Sequence, residues 1–432
     1  MGTMDALFEL FSKTFEYYTS EQAVLVYQIL YITSPVWLPM ALALVFWRVW
    51  VNYIRSNYIA TQEYVLLEMK LPPEVYKSPL AMEVVLSGLN AIGGEGEWHK
   101  RYIIGRVRHY FTFEVASFEG NLHFYVWTRK TVLKDVVESN FYGQYPNIEL
   151  TEVPDYTDML AHYDPKKYNL FGVYYRLNLP DPYPIKTYLD YSLDKDPKEE
   201  FKVDPFTSIL ELMSNIKKGE YFWYQIGFRA HREKSRGGSW FHKTTWADET
   251  RDIISKIYDG MKEVSESDQG GKFEFKRRPT KGEEMTIERL ERSITKPAFD
   301  VGVRAIYFAN HENYIMRGPA LNNLMRVYGG VDFIETDKRM AYSYNNFSPF
   351  KSTDFDYPWQ DITHTRETYR RYRIVDGYRR RQFFHAPHQK QNFVLSSEEL
   401  ATIFHPVGTV LQTPTVERVT SRKAEPPRNL PR

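Results

Sequence analysis

The chain has 432 residues, enough for two or three domains and a sizeable buried core, and its 56 Lys and Arg stand against 55 Asp and Glu. A formal net charge of +1 excludes a uniformly basic nucleic-acid coat and a polyanion mimic, so any charge-based function must be local. The absence of cysteine excludes disulfide frameworks, thiol nucleophiles and cysteine-held zinc or iron–sulfur centres, and leaves the compartment unreadable from redox chemistry.

The first segment carries the clearest signal. Between Gln22 and Trp47 no Asp, Glu, Lys, Arg or His interrupts the run AVLVYQILYITSPVWLPMALALVFW, which exceeds the roughly 20 apolar residues a bilayer core requires. The expectation is a leader over 1–33 and one membrane-spanning helix over 34–55, with Pro35 and Pro39 as sites of a kink. Trp37, Trp47, Trp50 and Tyr53 would lie near the interfaces, and Arg48 and Arg55 would reach toward headgroups. A cleaved signal peptide is the competing reading; the late start, the acidic leader and the lack of a small-x-small cleavage site disfavour it. Asp5, Glu9, Glu16 and Glu21 precede the span against Lys13 alone, so the positive-inside rule places the N-terminus outside and the chain from Asn57 onward in the cytoplasm, on the inner membrane. The FELFSKTFEYY stretch would lie along the outer interface.

Alternating elements follow. EYVLLEMKL (63–71) reads as a strand, Ser78-Pro79 as an N-cap with a first-turn proline, and AMEVVLSGLNAI as a helix. YFTFEVASFEGNLHFYVW is a hairpin turning at Glu119-Gly120, Lys130 to Tyr142 a helix, and NIELTEVP (147–154) a strand. The order β-α-β-β-α-β over 60–160 is ferredoxin-like, so the fold class is α+β. A second α+β domain is expected over 165–345, from the strands YNLFGVYYRL, YFWYQIGFRA and FDVGVRAIYFA and the helices DPFTSILELMSNI (204–216) and GEEMTIERLERSI (282–294). It reads as a possible duplication of the first, with surface excursions at 232–240 and 265–278.

Residues 346–432 form a basic, aromatic, proline-containing extension. Arg366, Arg370, Arg371, Arg373, Arg379, Arg380 and Arg381 fall within sixteen positions, opposed by Glu367 and Asp376 and interleaved with Tyr369, Tyr372 and Tyr378. Such a patch fits a phosphate backbone or an acidic partner; it equally fits a solvated linker, or arginines paired with carboxylates of a neighbouring domain. Ser396, Ser397 and Glu399 form a capping start to a short helix.

Catalytic patterns are scarce. No G-x-x-x-x-G-K-[ST] occurs: Gly93-Gly94-Glu95-Gly96 lacks the lysine, and Gly270-Gly271-Lys272 is followed by Phe273. His385 and His388, with His364 and His405 nearby, span a proline with no fixed carboxylate and give no zinc pattern. The pairs Glu283-Glu284 and Glu398-Glu399 are expected on solvated first turns of helices, where the dipole favours them. No cofactor is implied.

The ordered series SPLAMEVVLSGL, FTFEVASFEGNLHFYVW, VVESNFYGQYPNIELTEVPDY, VDPFTSILELMSNIKKGEYFWYQI, RYRIVDGYRRRQFF, LSSEELATIFHPVG and TPTVERVTSRKAEPPRNLP resembles the non-ATPase, amino-terminal portion of membrane-anchored type IV secretion and conjugative DNA-transfer ATPases of the HerA-like superfamily, over most of residues 60–431. Proteins of that family continue past a PPRNLP-like segment into a RecA-like motor, which this sequence does not contain. The resemblance implies a membrane-anchored, non-catalytic coupling subunit that oligomerises and docks a separate P-loop ATPase through its proline-rich tail. A membrane-tethered nucleic-acid-binding module working through Arg366–Arg381 is the alternative, and an unrecognised hydrolase a third.

Overall fold

The computed structural model describes residues 21–71, 78–90, 93, 96–175, 177, 179–194, 204–232, 245–266, 272–315, 320–321, 324–328, 343–344, 365–388 and 392–407. Two compact units emerge, one made of the chain to Thr61 together with 95–107, the other of 62–94 and everything from Arg108 onward.

The first unit is built on a single helix, α1 (Glu21–Ala60). It starts well before the expected Ser34 and runs unbroken through Pro35 and Pro39. A proline removes one N–H and orphans the carbonyl four residues earlier; here Ser34 Oγ donates to that carbonyl, Tyr31 O, at 2.7 Å, and Thr33 Oγ1 donates to Ile29 O at 2.6 Å. The side-chain hydroxyls preceding Pro35 thus explain why the helix does not begin at the proline. Val24–Ala60 is long and apolar enough to cross a membrane, with a mean hydropathy of 1.9 in its most apolar window. At about 1.5 Å per residue it extends roughly 55 Å, well beyond a 30 Å hydrocarbon core. The remainder of this unit contains a short helix, α2 (Trp98–Tyr102).

The second unit is an antiparallel sheet covered on both faces. Its first four strands are β1 (Tyr64–Lys70), β2 (Phe111–Phe118), β3 (Asn121–Arg129) and β4 (Glu149–Val153), interspersed with α3 (Pro79–Gly88) and α4 (Lys130–Gln144). Ser78 caps α3 by accepting from Leu80 N, with Pro79 in the first turn. The β2–β3 turn holds Glu119 and Gly120 at φ 56° and 93°, the left-handed pair that a two-residue hairpin needs. Then come β5 (Tyr168–Tyr175), α5 (Pro205–Ser214), β6 (Glu220–Ala230), α6 (Trp246–Asp259), β7 (Lys262–Glu266), β8 (Lys272–Lys276), α7 (Lys281–Ile294), β9 (Ala298–Asn310), β10 (Ser343–Tyr344), α8 (Thr365–Arg379), β11 (Phe393–Ser396) and α9 (Ser397–Ile403).

Among the described residues the main sheet runs β10-β5-β9-β6-β2-β3-β1-β4, with β11 added along β9, while β7 and β8 pair separately. The expected domains over 60–160 and 165–345 therefore share one sheet, joined where β2 pairs with β6 from Phe111↔Phe228 to Phe118↔Tyr221. The expected surface excursion at 265–278 overlaps the β7–β8 ladder, which begins at Lys262, and most of 232–240 lies outside the described residues. Part of the expected extension enters the core: Phe393, Leu395, Leu400 and Phe404 pack in the same apolar cluster as Phe113, Phe124 and Phe206.

Period-2 alternation divides the faces. Phe111, Phe113 and Val115 of β2, and Phe222, Tyr224, Ile226 and Phe228 of β6, join the layer beneath α3, α4, α5 and α9. The opposite positions, including Ala116, Trp223, Ile306 and Phe308, pack with Ile374, Tyr378, Phe383 and Phe384 from α8 and the turn beyond it. Gly227 and Gly302 are cross-strand partners, and a Cβ on either would overlap the Phe383 ring. These two glycines leave the space that lets the post-helix segment lie flat on the sheet.

Candidate functional site

Glu114 of β2, Gln225 of β6 and Arg304 of β9 place one polar side chain in each of three central strands, all fully buried. A buried charge is costly unless paired and hydrogen-bonded. Glu114 is paired by Arg381, whose Nε donates to Oε1 at 2.8 Å and Nη2 to Oε2 at 3.3 Å. Thr112 Oγ1 and Gln225 Nε2 each donate to Glu114 Oε1 at 2.7 Å, and Tyr156 OH donates to Oε2 at 2.7 Å. Arg381 also clamps Asp155, with Nη1 to Oδ2 at 2.5 Å and Nη2 to Oδ1 at 2.9 Å. Burial opposes the Arg381 charge, yet Glu114 and Asp155 outweigh it and hold the guanidinium well above its ordinary pKa. Burial similarly acts to raise Asp155, but the Arg381 bonds prevail and its pKa is lowered. The tyrosines Tyr156 and Tyr378, 2.9 Å apart at their hydroxyls, are pushed up by burial and by Glu114.

Gln225 carries the network onward: its Oε1 accepts from Arg304 Nε at 2.6 Å. Arg304 Nη1 donates to Tyr174 OH at 3.3 Å and Gln382 O at 3.2 Å, and its guanidinium lies 3.9 Å over the Phe383 ring. Burial lowers its pKa, with the surrounding hydroxyls and Glu114 working against that. The described contacts of Arg381, Gln382 and Phe383 with Glu114, Asp155 and Arg304 make this layer a lock that holds the segment after α8 on the sheet.

This layer redistributes the arginine cluster. Arg381 is 1% exposed and structural. Arg379 donates to Ala161 O at 3.4 Å and lies 3.5 Å from Asp158, and Arg380 pairs with Asp376 at 2.8 Å. Arg371 reaches Asn169 Oδ1 at 3.5 Å, and Arg373 donates to Pro387 O at 3.0 Å. The side chains of Arg366 and Arg370 lie outside the described residues. Arg379 and Arg381 meet carboxylates of the folded body, Asp158, Glu114 and Asp155, whereas Arg380 pairs locally with Asp376 of α8, and 365–379 is helical rather than a linker.

The histidines serve separate local purposes. His388 Nε2 lies 2.7 Å from Asp376, with burial lowering the imidazole pKa against the carboxylate's pull. His405 bridges Ala401 O and Asp204 Oδ2, each at 3.0 Å, and His385 is buried elsewhere; His364 lies outside the described residues. The expectation of a solvated Glu398-Glu399 pair is corrected. Both are buried, because α9 docks its N-terminus inside the body: Glu399 closes a capping box with Ser396 and accepts from Ile185 N at 2.9 Å, while Glu398 accepts from Thr187 Oγ1 at 2.5 Å and pairs with Arg292 at 3.1 Å. Glu283 does occupy a first turn, boxed by Thr280 and bonded by Arg277, which lowers its pKa to about 2.

In the first unit, the expected anchors lie on α1. Trp37, Trp47, Trp50 and Tyr53 are 43%, 46%, 37% and 64% exposed, and Arg48 is exposed as well, while Arg55 is half-buried. Trp50 has a partner that the sequence did not suggest: its Nε1 donates to Tyr102 O at 3.1 Å, and the Trp47 ring lies 5.4 Å from that of Tyr102. The sequence of the sheet core did carry a signal for the lock, since Glu114, Gln225 and Arg304 each interrupt an apolar strand.

The sequence profile of a family described as "Domain of unknown function (DUF8128)" matches residues 72–329, more than half the chain. This protein belongs to the DUF8128 family. The matched span contains the β2–β6 junction and the strand residues of the polar layer, Glu114, Gln225 and Arg304, whereas Arg381 lies beyond it. No curated protein matches the chain.

Proposed function

We propose that this DUF8128 protein is a membrane-anchored, non-catalytic coupling subunit of a type IV secretion-like or DNA-transfer machine, holding a separate P-loop ATPase at the inner face of the cytoplasmic membrane. In this reading α1 spans the membrane once with its N-terminus outside. The observation that carries it is α1 itself, a helix of membrane-crossing length and composition whose large apolar side chains, from Val24 to Tyr53, are exposed. A helix so apolar all round needs a nonaqueous surrounding. The body supports a scaffold role, because the buried charges of its central layer are spent on internal bonds.

The finer fold reading is a duplicated ferredoxin-like unit. The orders β4-β1-β3-β2 and β10-β5-β9-β6 are the same order met from opposite ends, with neighbours antiparallel throughout and the two halves fused through β2 and β6. The first half also has the β-α-β-β-α-β sequence of elements. The second carries α6, β7, β8 and α7 inserted between β6 and β9. Sheet edges at β4 and β10 are natural surfaces for subunit pairing.

The deciding experiment is purification of the tagged full-length protein from native membranes in mild detergent. Co-elution of a P-loop ATPase without its own membrane segment is expected, and deletion of 421–432, which lies outside the described residues, should abolish it while leaving the body folded. Repeated recovery of the protein alone or with nucleic acid would overturn the coupling role. A nucleic-acid-binding module on α8 would have to work without Arg381, and would show binding that falls steeply with salt.

A further inference from the structure

We propose that residues 96–107 form a foot that lies on the anionic surface of the bilayer beside α1, so that the anchor consists of two segments distant in sequence. The inference rests on the reading that α1 crosses the membrane, and adds to it a second lipid-contacting element with its lipid class.

The foot is fastened to α1 at one level. The uncharged run of the helix ends at Arg48. Within two turns of that point Trp47 packs on Tyr102, Trp50 donates to Tyr102 O at 3.1 Å, and the backbone at Ile54 meets Gly105. Gly105 has φ 77°, and a Cβ there would overlap the Ile54 carbonyl, so this contact requires glycine twice over. Trp47 and Trp50 are the residue type that gathers at the membrane–water boundary, which places the foot at headgroup depth.

The foot's own surface fits that depth. Trp98, Ile103 and Ile104 are 66%, 56% and 51% exposed, an apolar set that stays open although the Trp98 ring lies 6.3 Å from that of Tyr102. Around them stand His99, Lys100, Arg101 and Arg106, against Glu97 as the acidic residue of 96–107. Glu97 pairs with Lys100 at 3.0 Å, and Arg101 lies 5.2 Å over the Tyr102 ring. Apolar side chains flanked by surplus cations are the composition that seats a short segment in an anionic interface, each basic group adding attraction to acidic headgroups.

The absence of native cysteine makes the test direct. Single cysteines at Ile104→Cys and at Val36→Cys, a 77% exposed position within the apolar run, are spin-labelled in full-length protein and reconstituted into nanodiscs containing phosphatidylglycerol. Relaxation by oxygen, which partitions into lipid, is compared with relaxation by a water-soluble nickel chelate. The expected result is oxygen dominance at both labels, shallower at residue 104, with the label at 104 becoming more water-accessible in purely zwitterionic discs. Gly105→Ala should release the label at 104 to water and leave that at 36 unchanged. Nickel dominance at 104 with oxygen dominance at 36 overturns the foot while sparing the span. Shielding of 104 from both relaxants would mean a protein contact and overturns it too; nickel dominance at 36 overturns the span and the foot together.

Discussion

Replacing Arg381 by glycine sets two opposing terms against each other. Arg381 sits at φ 51° immediately after α8, where its N–H donates to Tyr378 O and that of Gln382 to Gly377 O, the geometry of a left-handed helix terminus. A non-glycine residue there costs roughly 1–2 kcal/mol, which glycine would recover. Against this, removing one member of a buried pair costs about 3–5 kcal/mol, because Glu114 is left fully buried and charged. The net expectation is a loss of about 1–4 kcal/mol, a difference of those two ranges. Urea denaturation of the purified protein, followed by tryptophan fluorescence, reads it as a lower midpoint at constant slope.

The pH dependence supplies a second signature. In the wild type Asp155 has a depressed pKa, so its contribution is present above the unfolded value near 3.9 and lost as pH falls through the folded value. In the variant Asp155 has lost the guanidinium that holds its pKa down, so this contribution is missing at neutral pH. The gap between the two proteins should therefore narrow as pH falls below about 4. A companion variant, Arg381→Met with Glu114→Leu, should regain most of the loss, since it removes both buried charges. A loss below about 1 kcal/mol that does not change with pH would refute the lock, because a paired buried charge cannot be removed so cheaply.

Other consequences are equally measurable. Asp300 is held well below the usual carboxylate range: burial would raise it, but His231 at 2.7 Å, Arg229 at 2.9 Å and Arg108 at 3.1 Å prevail. Its stabilisation is present above pH 4 and lost as pH falls toward its folded pKa, and Asp300→Asn should destabilise by about 3–5 kcal/mol in denaturant titration at pH 7, since two buried guanidinium groups lose the carboxylate they share. Gly302→Ala drives a methyl into the Phe383 ring and should cost about 1–3 kcal/mol, with a change in the near-ultraviolet circular dichroism of the aromatic layer. Ser396→Ala breaks the capping box of α9 and should cost about 1 kcal/mol, seen as a shifted thermal midpoint with α9 amides exchanging faster.

Local signals were read well from the sequence, and long-range ones poorly. Ser78-Pro79, Asp204-Pro205 and the Glu119-Gly120 turn mark their elements because caps and turns involve residues two to four apart. The strands β1 to β6 and β9 announced themselves by apolar content. What stayed hidden was their partnership. Nothing in the chain near Phe111 states that β2 will pair with β6 a hundred residues on, and that pairing merges two expected domains into one sheet. The arginine run was ambiguous for a related reason: Arg379, Arg380 and Arg381 are adjacent in sequence, yet Arg381 is buried while Arg379 is half-buried and Arg380 exposed where the helix ends. Helix α8 went unread as a charged segment with few apolar residues, and α6 went unread although the Thr245–Asp248 capping box and the spaced Ile253, Ile254 and Ile257 mark it.

The position of β11 and α9 sets an order of assembly. Ser397 Oγ donates to Glu83 across 314 residues, Tyr188 donates to the same carboxylate, and β11 pairs with the start of β9. Contacts that span so much chain close late. During synthesis α1 has left the ribosome, and on the membrane reading has inserted, while β11 and α9 are still untranslated. The sheet must then wait as an incomplete layer, with the β9 edge and the α3 face that β11 and α9 cover left open until residues 393–407 arrive. A chain cut short before Phe393 would keep α1 and its central strands yet remain a substrate for quality-control proteases.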